Sequence, residues 1–143
     1  MRLHLVHAAL VHVPVAFLVL GGLTEAIGLV GRSTRVARFG GGLVLVGAVA
    51  VVPTIATGFL AANVVTLSAE AYETLEAHER NGWFVLAAFA VLVIWKAWNR
   101  GEVPERMRIA YALALVAGVA LVVWGAVLGG RLVYGHGVGV GAG

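Results

Sequence analysis

The residues of this 143-residue chain best suited to chemistry are its five histidines, His4, His7, His12, His78 and His136. Imidazole is the commonest protein ligand for metals and an axial ligand of haem. The chain contains no cysteine. That excludes disulfides, iron–sulfur clusters, thiolate metal sites and haem attached through Cys-x-x-Cys-His. His4 and His7 are three residues apart and share a face if a helix reaches them. His7 and His12 are five apart, about 140° around a helix, so they point in different directions. Each is therefore expected to pair with a histidine from another segment. A haem held by two histidines needs this, with one imidazole on either side of a flat ring.

The chain that positions these residues is 61% hydrophobic and 12% charged, with a mean hydropathy of +0.97. Soluble domains are about half apolar and a quarter charged. The sequence reads as one integral membrane domain, residues 1–143. No apolar run alternates with period two, so helices and not a barrel are expected. Four runs approach the roughly 20 residues needed to cross ~30 Å of hydrocarbon. They predict an all-α, up-and-down four-helix bundle with spans at about 7–30, 39–62, 78–98 and 109–130 and a tail at 131–143. The first run continues to Glu25 without a clear cleavage site, so it reads as a span and not a leader. The net charge of +3 resides in short loops, which points to membrane topology and not to nucleic acid. Arg32, Arg35 and Arg38 follow the first span, Lys96 lies in the last turn of the third, and Arg100, Arg106 and Arg108 follow it. The positive-inside rule places both loops in the cytoplasm and both termini outside, in a bacterial inner membrane. All five histidines then fall at the outer, periplasmic end.

Depth ranks these histidines. His12 lies furthest into an apolar run, where a polar side chain is costly without a partner. His12 and His78 are accordingly the first choice of axial pair. His7 and His136 are candidates for a second ligand or for contacts with propionates, and Arg131 is a candidate partner for a propionate or a lipid phosphate. Glu25 is expected to pair with Arg108 or Lys96, and it lies roughly 20 Å along the helix from His12. The glutamates at 70, 73, 76 and 79 read as one face of a short surface helix capped by Ser68. Pro53 is expected to kink the second span. The segment from Gly129 to Val140 holds too many glycines to be helical throughout and reads as a loop folded over the outer end.

Two motifs carry a family resemblance. His7-Ala8-Ala9-Leu10-Val11-His12-Val13-Pro14 resembles the amino-terminal His-Pro…Val-His-Phe-Pro pattern of the bacterial membrane proteins grouped as domain of unknown function 2231. Gly129 to Val140 resembles their closing Gly-Gly…Leu-Val-Tyr…His-Gly-Val-Gly-Val. Thr57-Gly58 and His78 fall where that family has a Thr-Gly and a histidine. Ala8 stands where the family usually has proline. The resemblance spans essentially the whole chain. It implies four transmembrane helices and carries the family's histidines onto His7, His12, His78 and His136, leaving His4 outside the pattern. It also implies a connection with redox modules of Rieske or cytochrome type.

The resulting expectation is a b-type cytochrome-like electron-transfer protein, with haem b bound near the outer face. Quinone and a periplasmic or membrane redox protein are the expected partners, and the chain would form an oligomer or a subunit of a larger complex. Independent catalysis is not indicated. Two alternatives are a copper- or zinc-binding or transport protein built on the same histidines, and a non-catalytic anchor of a respiratory or photosynthetic complex.

Overall fold

The structure, a computed structural model, describes residues 3–139, without the side chains of Leu3 and His4. His4 as a ligand and the end of the tail, residues 140–143, thus lie outside the described residues. Those described form helices and turns only. The elements are α1 (Leu3–Leu10), α2 (His12–Val30), α3 (Thr34–Ala62), α4 (Ala69–Trp98) and α5 (Arg108–Gly130), the last extended by one π-helical turn at Arg131–Gly135. Among the described residues, four stretches are long and apolar enough to cross a membrane: Leu5–Val30, Thr34–Ala62, Ala69–Trp98 and Glu105–Gly135.

The first span is α1 and α2 in series. Pro14 has no N–H to give the Leu10 carbonyl, so the helical ladder breaks near Val11. Val11 N–H still donates to the His7 carbonyl at 2.9 Å and Val15 N–H to the Val11 carbonyl at 3.3 Å, which keeps the two pieces continuous. The turn into α3 is tight. Arg32 takes a φ of 57°, and the N–H of Ser33 donates to the Gly28 carbonyl at 2.8 Å.

Two boundaries differ from the hydropathy reading. The glutamate run is the start of α4 and not a separate surface helix. Ser68 caps it, accepting from Ala71 N–H at 3.2 Å, and the Ala- and Glu-rich sequence then carries helix straight into the apolar run. The tail keeps winding beyond α5 as a π-helical turn, in which His136 N–H reaches the Arg131 carbonyl at 3.0 Å.

The helices form a square. The span α1–α2 packs on α3 and α5, and α4 packs on the same two, leaving α2 and α4 diagonal. Leu18, Phe89 and Leu115 are fully buried between them. Leu20, Ile27, Val49, Val91, Ile94 and Leu113 face outward. An apolar perimeter of this extent is what a lipid-facing surface requires. Lipid tails are as apolar as leucine, so cohesion must come from close packing and internal hydrogen bonds. Small residues supply the first: a Cβ on Gly21 would lie 2.7 Å from the backbone nitrogen of Val44. Asn81 supplies the second, donating to the Leu121 carbonyl at 3.1 Å, as does Tyr111, whose hydroxyl donates to the Leu92 carbonyl at 3.1 Å.

Candidate functional site

His7 and His78 enter the same end of the bundle from diagonal spans. Each is partly buried, and each docks on the helix that closes its own hairpin. His7 Nδ1 lies 3.0 Å from the Thr54 carbonyl oxygen and 3.4 Å from Thr57 Oγ1. His78 Nδ1 lies 3.1 Å from the Gly125 carbonyl oxygen. A carbonyl only accepts, so Nδ1 must carry a proton in both rings, and in the neutral imidazole Nε2 then carries the lone pair.

A glycine one turn beyond each carbonyl makes the approach possible. A Cβ on Gly58 would sit 3.0 Å from His7 Cε1, and one on Gly129 would sit 3.3 Å from His78 Cε1. Thr57 and Gly58 are therefore the seat of His7.

A family described as predicted membrane protein (DUF2231) matches residues 3–142. The chain belongs to this family. No curated protein and no solved structure matches it. The histidines that the DUF2231 resemblance carries over, His7, His12, His78 and His136, have different surroundings. His12 shares a helical stripe with Ala16, Leu20, Leu23 and Ile27, all exposed. It stands on the outward surface and not in the interior beside His78. His136 is partly buried against α4, its Nε2 3.1 Å from Thr74 Oγ1. That hydroxyl gives its proton to the Glu70 carbonyl at 3.2 Å, so it receives one from His136 Nε2–H. The nitrogen that has no partner among the described residues in His7 and His78 is engaged in His136. Arg131 lies over the Trp124 ring, 5.6 Å from its centroid, a cation–π contact. Among the described residues, no three His, Asp or Glu side chains converge as a metal site.

The other polar feature of the interior is at the opposite end. Glu25 on α2 is fully buried and forms an ion pair with Lys96 on α4, whose side chain is 18% exposed. Of the two sequence candidates, Lys96 is thus the partner. Glu25 Oε2 has no hydrogen-bond partner among the described residues. Gly41 leaves room for the pair, because a Cβ there would run into Lys96 Nζ. The loops at this end are tied by exposed pairs, Arg32 with Glu105 at 3.2 Å and Arg38 with Glu102 at 3.0 Å.

The hydropathy reading missed the seats of the histidines, Thr54–Gly58 and Gly125–Gly129. A signal for them is present: a glycine follows His7 by 51 residues and another follows His78 by 51.

Proposed function

We propose that this DUF2231 protein is a membrane haem-binding electron-transfer protein, with His7 and His78 as the axial pair. One observation carries the reading. Two imidazoles on diagonal spans, at the same end of the bundle, each give Nδ1–H to a backbone carbonyl, which in the neutral ring leaves the lone pair on Nε2. This is the arrangement by which proteins orient a metal-ligating histidine, fixing its tautomer and raising its basicity. Two axial nitrogens are what a haem asks of a protein, since the porphyrin supplies the other four. Zinc sites ask for three or four protein ligands, and no such group converges among the described residues. When bound, haem supplies one-electron redox chemistry, with a potential tuned by its axial ligands and burial.

The chain's own contribution is orientation and exclusion of water. Thr54 and Gly125 hold the two rings, Gly58 and Gly129 let them approach, and Leu18 and Phe89 close the interior beneath them. The arginines at the other end favour an orientation in a bacterial cytoplasmic membrane that puts the histidine end outside. A periplasmic or membrane redox protein, or a quinone, would exchange electrons there. The test is a reduced-minus-oxidised absorption spectrum of protein purified in detergent from haem-replete cells. A shifted Soret band with sharp α and β bands is expected. A colourless preparation that takes up no haemin would sink the proposal.

A further inference from the structure

The spacing that seats His7 recurs at His78, and the recurrence extends into the middle of the bundle. His7 meets the carbonyl of residue 54, and His78 that of residue 125, with 47 residues between partners in each case. Their glycines follow at 58 and 129. Deeper in the membrane, a Cβ on Gly47 would meet the Leu18 side chain at 2.8 Å, and a Cβ on Gly118 would meet the Phe89 ring at 3.0 Å. Again one interval, 29 residues, separates the partners. Every one of these pairs is related by a shift of 71 residues, from 7 to 78, 18 to 89, 47 to 118 and 58 to 129.

Away from the Glu25–Lys96 end, burial follows the same shift. Leu18 and Phe89 are both 0% exposed, Val44 and Leu115 are 2% and 0%, and Val51 and Val122 are each 5%. The lipid-facing positions shift as well: Leu20 with Val91, Leu45 with Val116 and Val52 with Val123 are all exposed. The shift also relates Glu25 to Lys96, the two members of the buried pair. Residues on diagonal helices that share a position in two repeats face each other across an axis running along the bundle. Parallel repeats about an axis normal to the membrane are an established architecture of membrane proteins.

We propose that the chain is two copies of one helical hairpin joined about a two-fold axis, and that His7 and His78 are the equivalent halves of a single ligand site on that axis. The site takes one planar ligand per chain, ligated alike on both faces, and excludes His12 and His136. The haem identity of that ligand rests on the preceding proposal, whereas the axis does not. Glu25 and Lys96 are where the copies have diverged to the benefit of their pairing. Two identical first hairpins would bury glutamate against glutamate, and two second hairpins lysine against lysine. Packing has diverged too. The first hairpin has Gly21 and Gly40 where the second has Leu92 and Tyr111, so α2 and α3 approach more closely.

Two arms test this separately. The chain has no cysteine, so spin labels can be placed in pairs on its lipid-facing surface. Leu20→Cys with Val116→Cys measures α2 to α5, and Val91→Cys with Leu45→Cys measures the equivalent α4 to α3 distance. Pulsed dipolar spectroscopy should give values agreeing within about 3 Å, the spread of helix packing distances. A difference near a helix diameter, ~10 Å, overturns the axis. In the second arm, haemin titration should saturate at one per chain. His7→Gly and His78→Gly should each lose the six-coordinate spectrum, and added imidazole should restore it in both. Two haems per chain, or a spectrum that survives either substitution, overturns the shared site. A protein that takes up no haemin overturns the haem assignment and the shared site with it, while the label distances still decide for or against the axis.

Discussion

Breaking the Glu25–Lys96 pair should harm the protein unequally depending on which partner is removed. Glu25 is fully buried, with one carboxylate oxygen lacking a hydrogen-bond partner among the described residues. Lys96 retains 18% exposure near the end of α4 and carries a flexible stem. Lys96→Met therefore leaves an uncompensated carboxylate with no route to water. Removing one partner of a buried pair costs ~3–5 kcal/mol, and Lys96→Met should fall in that range. Glu25→Met leaves an ammonium that can snorkel toward the interface, so its cost should be nearer that of a lost charged hydrogen bond, about 1.5–3 kcal/mol. The double variant replaces the pair with two thioether side chains and strands no charge. Such replacements are neutral or stabilising, so it should lie within about 1 kcal/mol of the parent. The assay is loss of helical circular dichroism in detergent during titration with sodium dodecyl sulfate, read as a double-mutant cycle. Additive losses, with the double variant as unstable as the two singles combined, would refute the claim that these residues matter to stability through each other.

Other expectations follow from the same geometry. Gly58→Ala should weaken haemin binding more than Gly129→Ala, because the added methyl meets His7 at 3.0 Å but His78 at 3.3 Å. Loss of one ring-to-carbonyl hydrogen bond, about 1 kcal/mol, corresponds to roughly fivefold in affinity; equal effects or none would argue against the docking described. Glu102→Gln should change stability by less than about 1 kcal/mol, since its partner Arg38 is as exposed as it is, and a larger loss in the same titration would contradict this.

The sequence made the spans legible because membrane crossing leaves an unambiguous apolar length. It was less informative where polarity and helicity part company. The glutamates before His78 interrupt the apolar run, but Ser68 and the Ala-Glu-rich stretch sustain helix regardless. The choice between His7 and His12 shows a second limit. Depth favours His12, whereas helical phase turns it to the outward surface. His7 shares its stripe with Pro14, Leu18, Gly21 and Glu25, all buried, and His12 shares its own with residues facing lipid. The phase was readable in principle, although the helix break near Val11 obscures it. The partners of His7 and His78 were hidden for a different reason. They are backbone carbonyls, and a carbonyl leaves no trace in residue type. Only the glycines beside them and the 71-residue shift betray them.

The central claim concerns two imidazoles on one iron. Electron paramagnetic resonance of the oxidised, haemin-loaded protein tests it most directly. A low-spin ferric signal typical of two imidazole ligands is expected. It should persist in His12→Ala and His136→Ala, and give way to a high-spin signal in His7→Ala and in His78→Ala. A low-spin signal that survives loss of His7 or His78, or vanishes on loss of His12, would contradict the account.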